Sequence, residues 1–220
     1  NCHCEPVLGR GNPFYKIASM STSRNDSAKI YFVIQSNQST MLYIPTGSEL
    51  LNANKILEKL DIKEGMTVAD LGCGTSGHFV FPSAKMVGDE GKVYAVDILK
   101  SALSSIESKA KLQNFYNIKE VWADIEVFGA TKIPESSCDA IYLVNVHAKS
   151  DIIKESLRLL KKDGKLLLVD WKISGTGLLG PATTDRVSMK EAKKRAVEFD
   201  LKLIEEFDAG SHHWGVIYKK

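Results

Sequence analysis

Asp70-Leu-Gly-Cys-Gly-Thr-Ser-Gly77 is the stretch that decides how this chain reads. The apolar run Met66-Thr-Val-Ala69 leads into it, and an apolar segment from Phe79 to Val87 follows it. A second apolar run, Lys92-Val-Tyr-Ala-Val96, closes on Asp97. Glycines at such a turn let the backbone approach a ligand where a Cβ would collide. An acid at the tip of the next strand can accept hydrogen bonds from both hydroxyls of a ribose. Strand, glycine-rich turn, helix, strand and acid together describe a nucleotide-cofactor site.

Two cofactors fit. Gly72, Gly74 and Gly77 reproduce the dinucleotide spacing letter for letter. Asp70 points elsewhere: it ends the first strand, where the two phosphates of a dinucleotide would be repelled by a carboxylate. S-adenosylmethionine carries an ammonium and a sulfonium, and it tolerates or prefers an acid there. Asp70 and Asp97 each have a local alternative as the cap of the following turn.

Length and composition bound the rest. The 220 residues suffice for one domain with a full core, and a net charge of +2 implies no broad nucleic-acid footprint. No apolar run reaches membrane-spanning length, and no stretch reads as a signal peptide. Cysteines at 2, 4, 73 and 138 make no disulfide framework, so a cytoplasmic setting is expected. Residues 1–20 read as a flexible tail. Its Cys2-His3-Cys4 lacks the further ligands that a metal site needs.

The β-rich runs Ile30–Ile34 and Thr40–Ile44 predict a hairpin, and Pro45-Thr-Gly47 ends it. Apolar spacing predicts a helix over Ser48–Leu60. Strands are expected at about 66–71, 92–97, 117–123, 138–144 and 165–170, with helices at 79–87, 101–112 and 151–160 between them. Ser188-x-x-Glu191 is a capping box that opens a further helix. Two last strands, Leu201–Phe207 and Trp214–Tyr218, sit so close together that they predict an antiparallel pair. The organisation is thus a tail over 1–20, a hairpin extension over 21–47 and an α/β domain over 48–220. The domain has seven strands, five of them in β-α alternation and so parallel.

The ordered set Val68-Ala-Asp-Leu-Gly-Cys-Gly74, Val93-Tyr-Ala-Val-Asp97, Ala123-Asp124, Cys138–Asn145 and Leu159–Leu166 resembles the class I S-adenosylmethionine-dependent methyltransferases. It is most similar to small members near the quinone-biosynthesis and arsenite methyltransferase groups. The resemblance implies a Rossmann-like three-layer sandwich with strand order 3-2-1-4-5-7-6 and strand seven antiparallel. It implies that Asp70, Gly72, Cys73, Gly74 and Gly77 surround the methionine part of S-adenosylmethionine. Asp97 would hold the ribose, and Ile98 would pack on the adenine. Asp124 and Ile125 would approach the adenine amino group and ring, and Asn145 and Val146 would line the reacting side. The chain departs from the pattern at Ser76, where many relatives have the third glycine; here Gly77 comes one residue later.

Methyl transfer from a sulfonium mainly requires alignment of donor and acceptor, so a catalytic base is optional. His147, just past strand four, is the candidate base, and its alternative is a loop histidine flanking the pocket. Cys73 reads as a small turn residue and Trp171 as packing. His212-His213 receives no role, and the basic faces Lys161-Lys162 and Lys190–Arg195 read as solvated surface. The acceptor is expected to be a small molecule, with nucleic acid or protein acceptors still open, no membrane partner and no metal. Two competing functions stand beside methyl transfer: an NAD-dependent oxidoreductase, and a non-catalytic S-adenosylmethionine-binding module. The segment Ser174–Val187, rich in glycine, reads as a mobile loop bordering the acceptor.

Overall fold

The structure is a computed structural model that describes residues 32–35, 39–42, 47–174 and 179–220. It separates into two compact units, Asn1–Thr46 and Gly47–Lys220. In the first, Phe32–Gln35 and Ser39–Leu42 pair antiparallel, with Phe32 opposite Leu42 and Gln35 opposite Ser39. This is the predicted hairpin. The tail, with Cys2-His3-Cys4, lies outside the described residues.

The second unit is built on seven strands: β1 (Thr67–Leu71), β2 (Lys92–Asp97), β3 (Ile118–Trp122), β4 (Cys138–Val144), β5 (Leu160–Trp171), β6 (Lys202–Asp208) and β7 (His213–Lys219). Its helices are α1 (Ala53–Glu58), α2 (Val80–Val87), α3 (Lys100–Leu112), α4 (Ser150–Leu159) and α5 (Met189–Val197). The sheet order is β3-β2-β1-β4-β5-β7-β6. β1 to β5 run parallel, and β7 is antiparallel to both neighbours.

Period-two side-chain alternation divides the core between the two faces. Val68, Val93, Ala95 and Leu167 meet Leu57, Val80, Leu103 and Ile106 on the face covered by α1 to α3. Ala69, Val96, Ile141 and Leu168 meet Ile152, Ile153, Ala192 and Ala196 on the face covered by α4 and α5. Strands covered on both sides are mostly apolar, and in β1, β2 and β4 the charged residues fall at or near the strand ends: Asp70, Lys92, Asp97 and Asp139. Each fully buried Leu or Ile stabilises the fold by about 1.5–3 kcal/mol. The strand order reverses between β1 and β4, and open α/β sheets bind ligands at the carboxyl ends beside such a reversal.

Three local expectations are corrected. The helix over Ser48–Leu60 is broken: Ser48–Leu50 is a 3-10 turn, Leu51 is extended at φ −97° and ψ 145°, and α1 starts after Asn52. The Asn52 side chain accepts the Lys55 amide at 3.1 Å. Asn prefers an N-cap to a helix interior, so it interrupts a continuous apolar stripe. Strand five starts earlier than predicted, at Leu160 opposite Cys138. It then shifts register so that Lys165 faces Ala140, with Asp163 left-handed at φ 66° in between. Lys220 fastens this bulge by accepting the Asp163 amide and donating to the Gly164 carbonyl. The capping box is half made: Ser188 Oγ accepts the Glu191 amide, but the Glu191 carboxylate turns to Arg195 at 2.8 Å.

Candidate active site

The turn after β1 is fastened to the end of β2. The Gly72 and Cys73 amides both donate to the Val96 carbonyl, at 2.8 and 3.0 Å. Gly72 sits at φ 86°, and a Cβ there would lie 2.5 Å from Val146 Cγ1, so both conformation and space demand glycine. Gly74, at φ 63°, donates its amide to Asp97 Oδ2 at 2.9 Å, and a Cβ on it would meet nothing within 4 Å. Leu99 donates to the other Asp97 oxygen at 2.9 Å. A carboxylate has about four acceptor positions, so each Asp97 oxygen keeps one free.

Asp70 differs from Asp97. It is 3% exposed, and among the described residues no donor hydrogen-bonds its carboxylate. Burial, and secondarily the neighbouring Asp97, push it up to about 7. The turn therefore contains one acid held by amides and one with no partner. Burial, reinforced by Asp70 and Asp97, pushes the Cys73 thiol far up, which suits a small packed residue and not a nucleophile.

The remaining candidates on this side divide. Gly77 is a packing glycine, since a Cβ on it would lie 2.6 Å from both Ile106 Cδ1 and Phe81 Cε2. This lets α2 and α3 close on the turn. Ile98 is exposed directly after β2, and Ile125 lies beside Gly72. Asp124 Oδ1 accepts the Glu126 amide at 2.9 Å, a local turn role for that carboxylate.

Beyond β4 the backbone is unusual. Asn145 and His147 are left-handed, at φ 58° and 56°, a conformation few non-glycine residues adopt. The strain is held from three sides. Asn145 donates its amide to Val169, and the His147 amide donates to Asp170 Oδ2 at 3.1 Å. Arg195 on α5 donates to the His147 and Ala148 carbonyls at 3.2 and 3.3 Å. Asn145 Oδ1 and His147 Nδ1 are buried without a hydrogen-bond partner among the described residues. Burial raises the Asp170 carboxyl, opposed by the Trp171 amide and by His147.

Trp171 forms the wall at the end of β5. The His213 ring packs 4.2 Å from it, and the Arg186 guanidinium lies 5.3 Å from its centroid. Gly47 and Gly180 lie so close to the indole that a Cβ would come within 2.5 and 2.6 Å of it. Arg186 is buried and donates to the carbonyls of Lys172, Leu179 and Pro181. His213 is buried too, and burial lowers it to about 4.

Sequence reasoning missed Gly47, Arg186, Arg195 and His213. Gly47 read as a strand breaker, and Arg195 belonged to a basic run that looked solvated. The i,i+4 spacing of Glu191 and Arg195 marks a shared helix face but not the loop that Arg195 reaches.

Residues 62–212 match a family profile described as a methyltransferase domain. A ubiquinone/menaquinone biosynthesis C-methyltransferase of Escherichia fergusonii is 33% identical over 117 residues, which are 50% of this chain and 44% of that relative. The chain thus spans less than half the length of the curated relatives it matches. A structure of an S-adenosylmethionine-dependent methyltransferase from Aquifex aeolicus superposes with a TM-score of 0.71 at 24% identity, covering 80% of this chain and 93% of its own. A type 11 methyltransferase from Sulfolobus solfataricus, described as putative, gives 0.63 at 25% identity over 78% and 93%. Among the described residues, no helix is long and apolar enough to cross a membrane. The profile runs from ahead of β1 to the brink of β7, well over half of the chain, and the sheet order is the one the family resemblance implies. The chain belongs to the class I S-adenosylmethionine-dependent methyltransferases.

Proposed function

We propose that this chain binds S-adenosylmethionine and transfers its methyl group to a small-molecule acceptor by direct displacement. The observation that carries the reading is the unpartnered carboxylate of Asp70, buried beside Asp97. Two buried acids at adjacent strand ends suit a ligand that brings positive charge and ribose hydroxyls. They disfavour a pyrophosphate, and so disfavour NAD. The residues fit the cofactor: Asp70 for the ammonium, the free acceptor positions of Asp97 for the ribose, and the open face of Gly74 for close backbone approach. Gly72 and Cys73 shape the turn, and Ile98 and Ile125 supply apolar contact for the adenine. Asp124 closes the loop beside it.

When bound, S-adenosylmethionine supplies an electrophilic methyl carbon on a sulfonium that is already a good leaving group. The chain's own task is alignment and the exclusion of water. Asn145 Oδ1 and His147 Nδ1 offer two buried hydrogen-bonding atoms on the acceptor side. Where the acceptor releases a proton, His147 Nδ1 receives it, and Asp170 and Arg195 hold the loop that presents it. The name of the quinone-biosynthesis relative supports a small acceptor. We assign 48–220 as the methyltransferase domain and 21–47 as an extension, a division supported by the separate compact unit that ends at Thr46. A cytoplasmic setting is supported by four scattered cysteines that make no disulfide framework.

Calorimetry against S-adenosylmethionine, S-adenosylhomocysteine and NAD tests the cofactor. Micromolar binding of the first two without NAD is the expected outcome, and NAD binding alone would overturn it. A screen with labelled methyl donor over small molecules, RNA and protein then tests the acceptor class.

A further inference from the structure

We infer that Lys109 is a positioning residue for the carboxylate of the bound cofactor, acting through the backbone of the widened glycine turn. The inference rests on the cofactor reading above. Lys109 lies in the last turn of α3, and its Nζ donates to the Thr75 carbonyl at 3.2 Å and the Ser76 carbonyl at 3.3 Å. Ser105, one helical turn earlier on the same face, donates its hydroxyl to the Thr75 carbonyl at 3.1 Å. Ile106 packs beneath Gly77. One face of α3 therefore grips the turn by two consecutive carbonyls.

Peptide geometry gives the consequence. In a planar trans peptide the N–H points opposite to the C=O. With the Thr75 and Ser76 carbonyls turned to Lys109, the Ser76 and Gly77 amides face away from α3. Among the described residues no acceptor receives a hydrogen bond from either amide. Adjacent backbone amides facing the same way form a concavity for an anion. The ammonium behind the two carbonyls polarises both peptides and strengthens their donors.

The only anionic group of S-adenosylmethionine is its carboxylate. Asp70 thus reads the ammonium of the amino-acid group, and the amides oriented by Lys109 read the carboxylate. The extra residue in the turn, which delays the third glycine to position 77, provides the second carbonyl that Lys109 holds.

Decarboxylated S-adenosylmethionine keeps the adenosine, sulfonium and amine and lacks only the carboxylate, so it isolates this contact. Both ligands are titrated calorimetrically into the wild type, Lys109→Met and Lys109→Arg. Lys109→Met should lose about tenfold in affinity for S-adenosylmethionine and less than about twofold for the decarboxylated analogue. Lys109→Arg should recover most of the loss, because a guanidinium can also donate to both carbonyls. Equal losses for the two ligands, or none for either, would overturn the inference. A wild type that binds neither ligand would overturn the cofactor reading, and this inference with it. Should Lys109→Met fail to fold, Ser105→Ala takes its place, with a carboxylate-selective loss of about threefold expected and an unselective one contradicting.

Discussion

The two sides of the strand-end rim are held in shape by different means. Above β1 and β2 the unusual backbone falls on glycines: Gly72, Gly74 and Gly77 all have positive φ. Above β4 it falls on Asn145 and His147, which adopt the same region at a steric cost. Glycine carries no Cβ penalty there, whereas the strained Asn145 and His147 backbone is held by Val169, Asp170 and Arg195. Among the described residues Asp70 has no donor, while Asp97 takes the amides of Gly74 and Leu99 and Asp170 those of His147 and Trp171. Both sides are tied to distant elements, but the β1–β2 side meets its backbone demand with glycine and the β4 side meets it with restrained non-glycine residues.

The largest expected effect separates the acids by pH. The Asp70 carboxyl rises from 3.8 unfolded to about 7 folded, so the native state holds more protons across that window. Its contribution to stability is present below 3.8 and is lost as pH rises towards 7. Asp70→Asn should therefore exceed the wild type in stability above pH 7 by a few kcal/mol, read by urea unfolding, and bind S-adenosylmethionine more weakly. His213 runs the other way: its pKa falls from 6.5 to about 4, so its contribution is present above 6.5 and lost as pH falls towards 4. His213→Phe should remove acid sensitivity in that window alone. A Asp70→Asn variant less stable than the wild type above pH 7 would break the contrast between an unpartnered and a restrained acid.

Gly72→Ala attacks the point where the two sides touch, because its Cβ would press on Val146. Denaturant unfolding should show a loss of about 2–4 kcal/mol. Val146→Ala in the same chain should restore only part of it, since the strain at φ 86° remains. Complete restoration would mean that crowding alone fixes the glycine.

Asp97→Ala should weaken S-adenosylmethionine by about 1–3 kcal/mol in a calorimetric titration. Unchanged affinity in a folded variant removes Asp97 from the site. Asp170→Asn is the smallest test. It should accelerate hydrogen exchange at the His147 amide severalfold while leaving cofactor affinity within about twofold, because it frees one acceptor-side restraint. A comparable loss of cofactor affinity would show that the two sides are not independent.

The same contrast explains what the sequence revealed. Asp70, Gly72, Gly74 and Asp97 were legible because the turn states its conformational demands in residue types and spacing. The parallel strands were legible from β-α alternation and the antiparallel last pair from its short connection, whereas the sheet order followed only from the family resemblance. The break at Asn52 was not, since the apolar stripe runs through it and the cap competes only once the chain is folded. Arg186, Arg195 and His213 were invisible for a related reason. Arg195 reaches a loop distant in sequence, His213 packs on a ring at the end of another strand, and Arg186 holds the carbonyls of its own connecting segment. A basic run or a histidine pair carries no mark of the carbonyls or ring it will meet.

The most direct test of the central claim counts protons. S-adenosylmethionine is titrated calorimetrically just below pH 7 in buffers of different ionisation enthalpy. If a cation binds beside the Asp70 carboxylate, that group must ionise, and roughly half a proton or more should be released per cofactor bound, with the release absent in Asp70→Asn. Binding without proton release, or with the same release in Asp70→Asn, would contradict recognition of the cofactor by the buried acid.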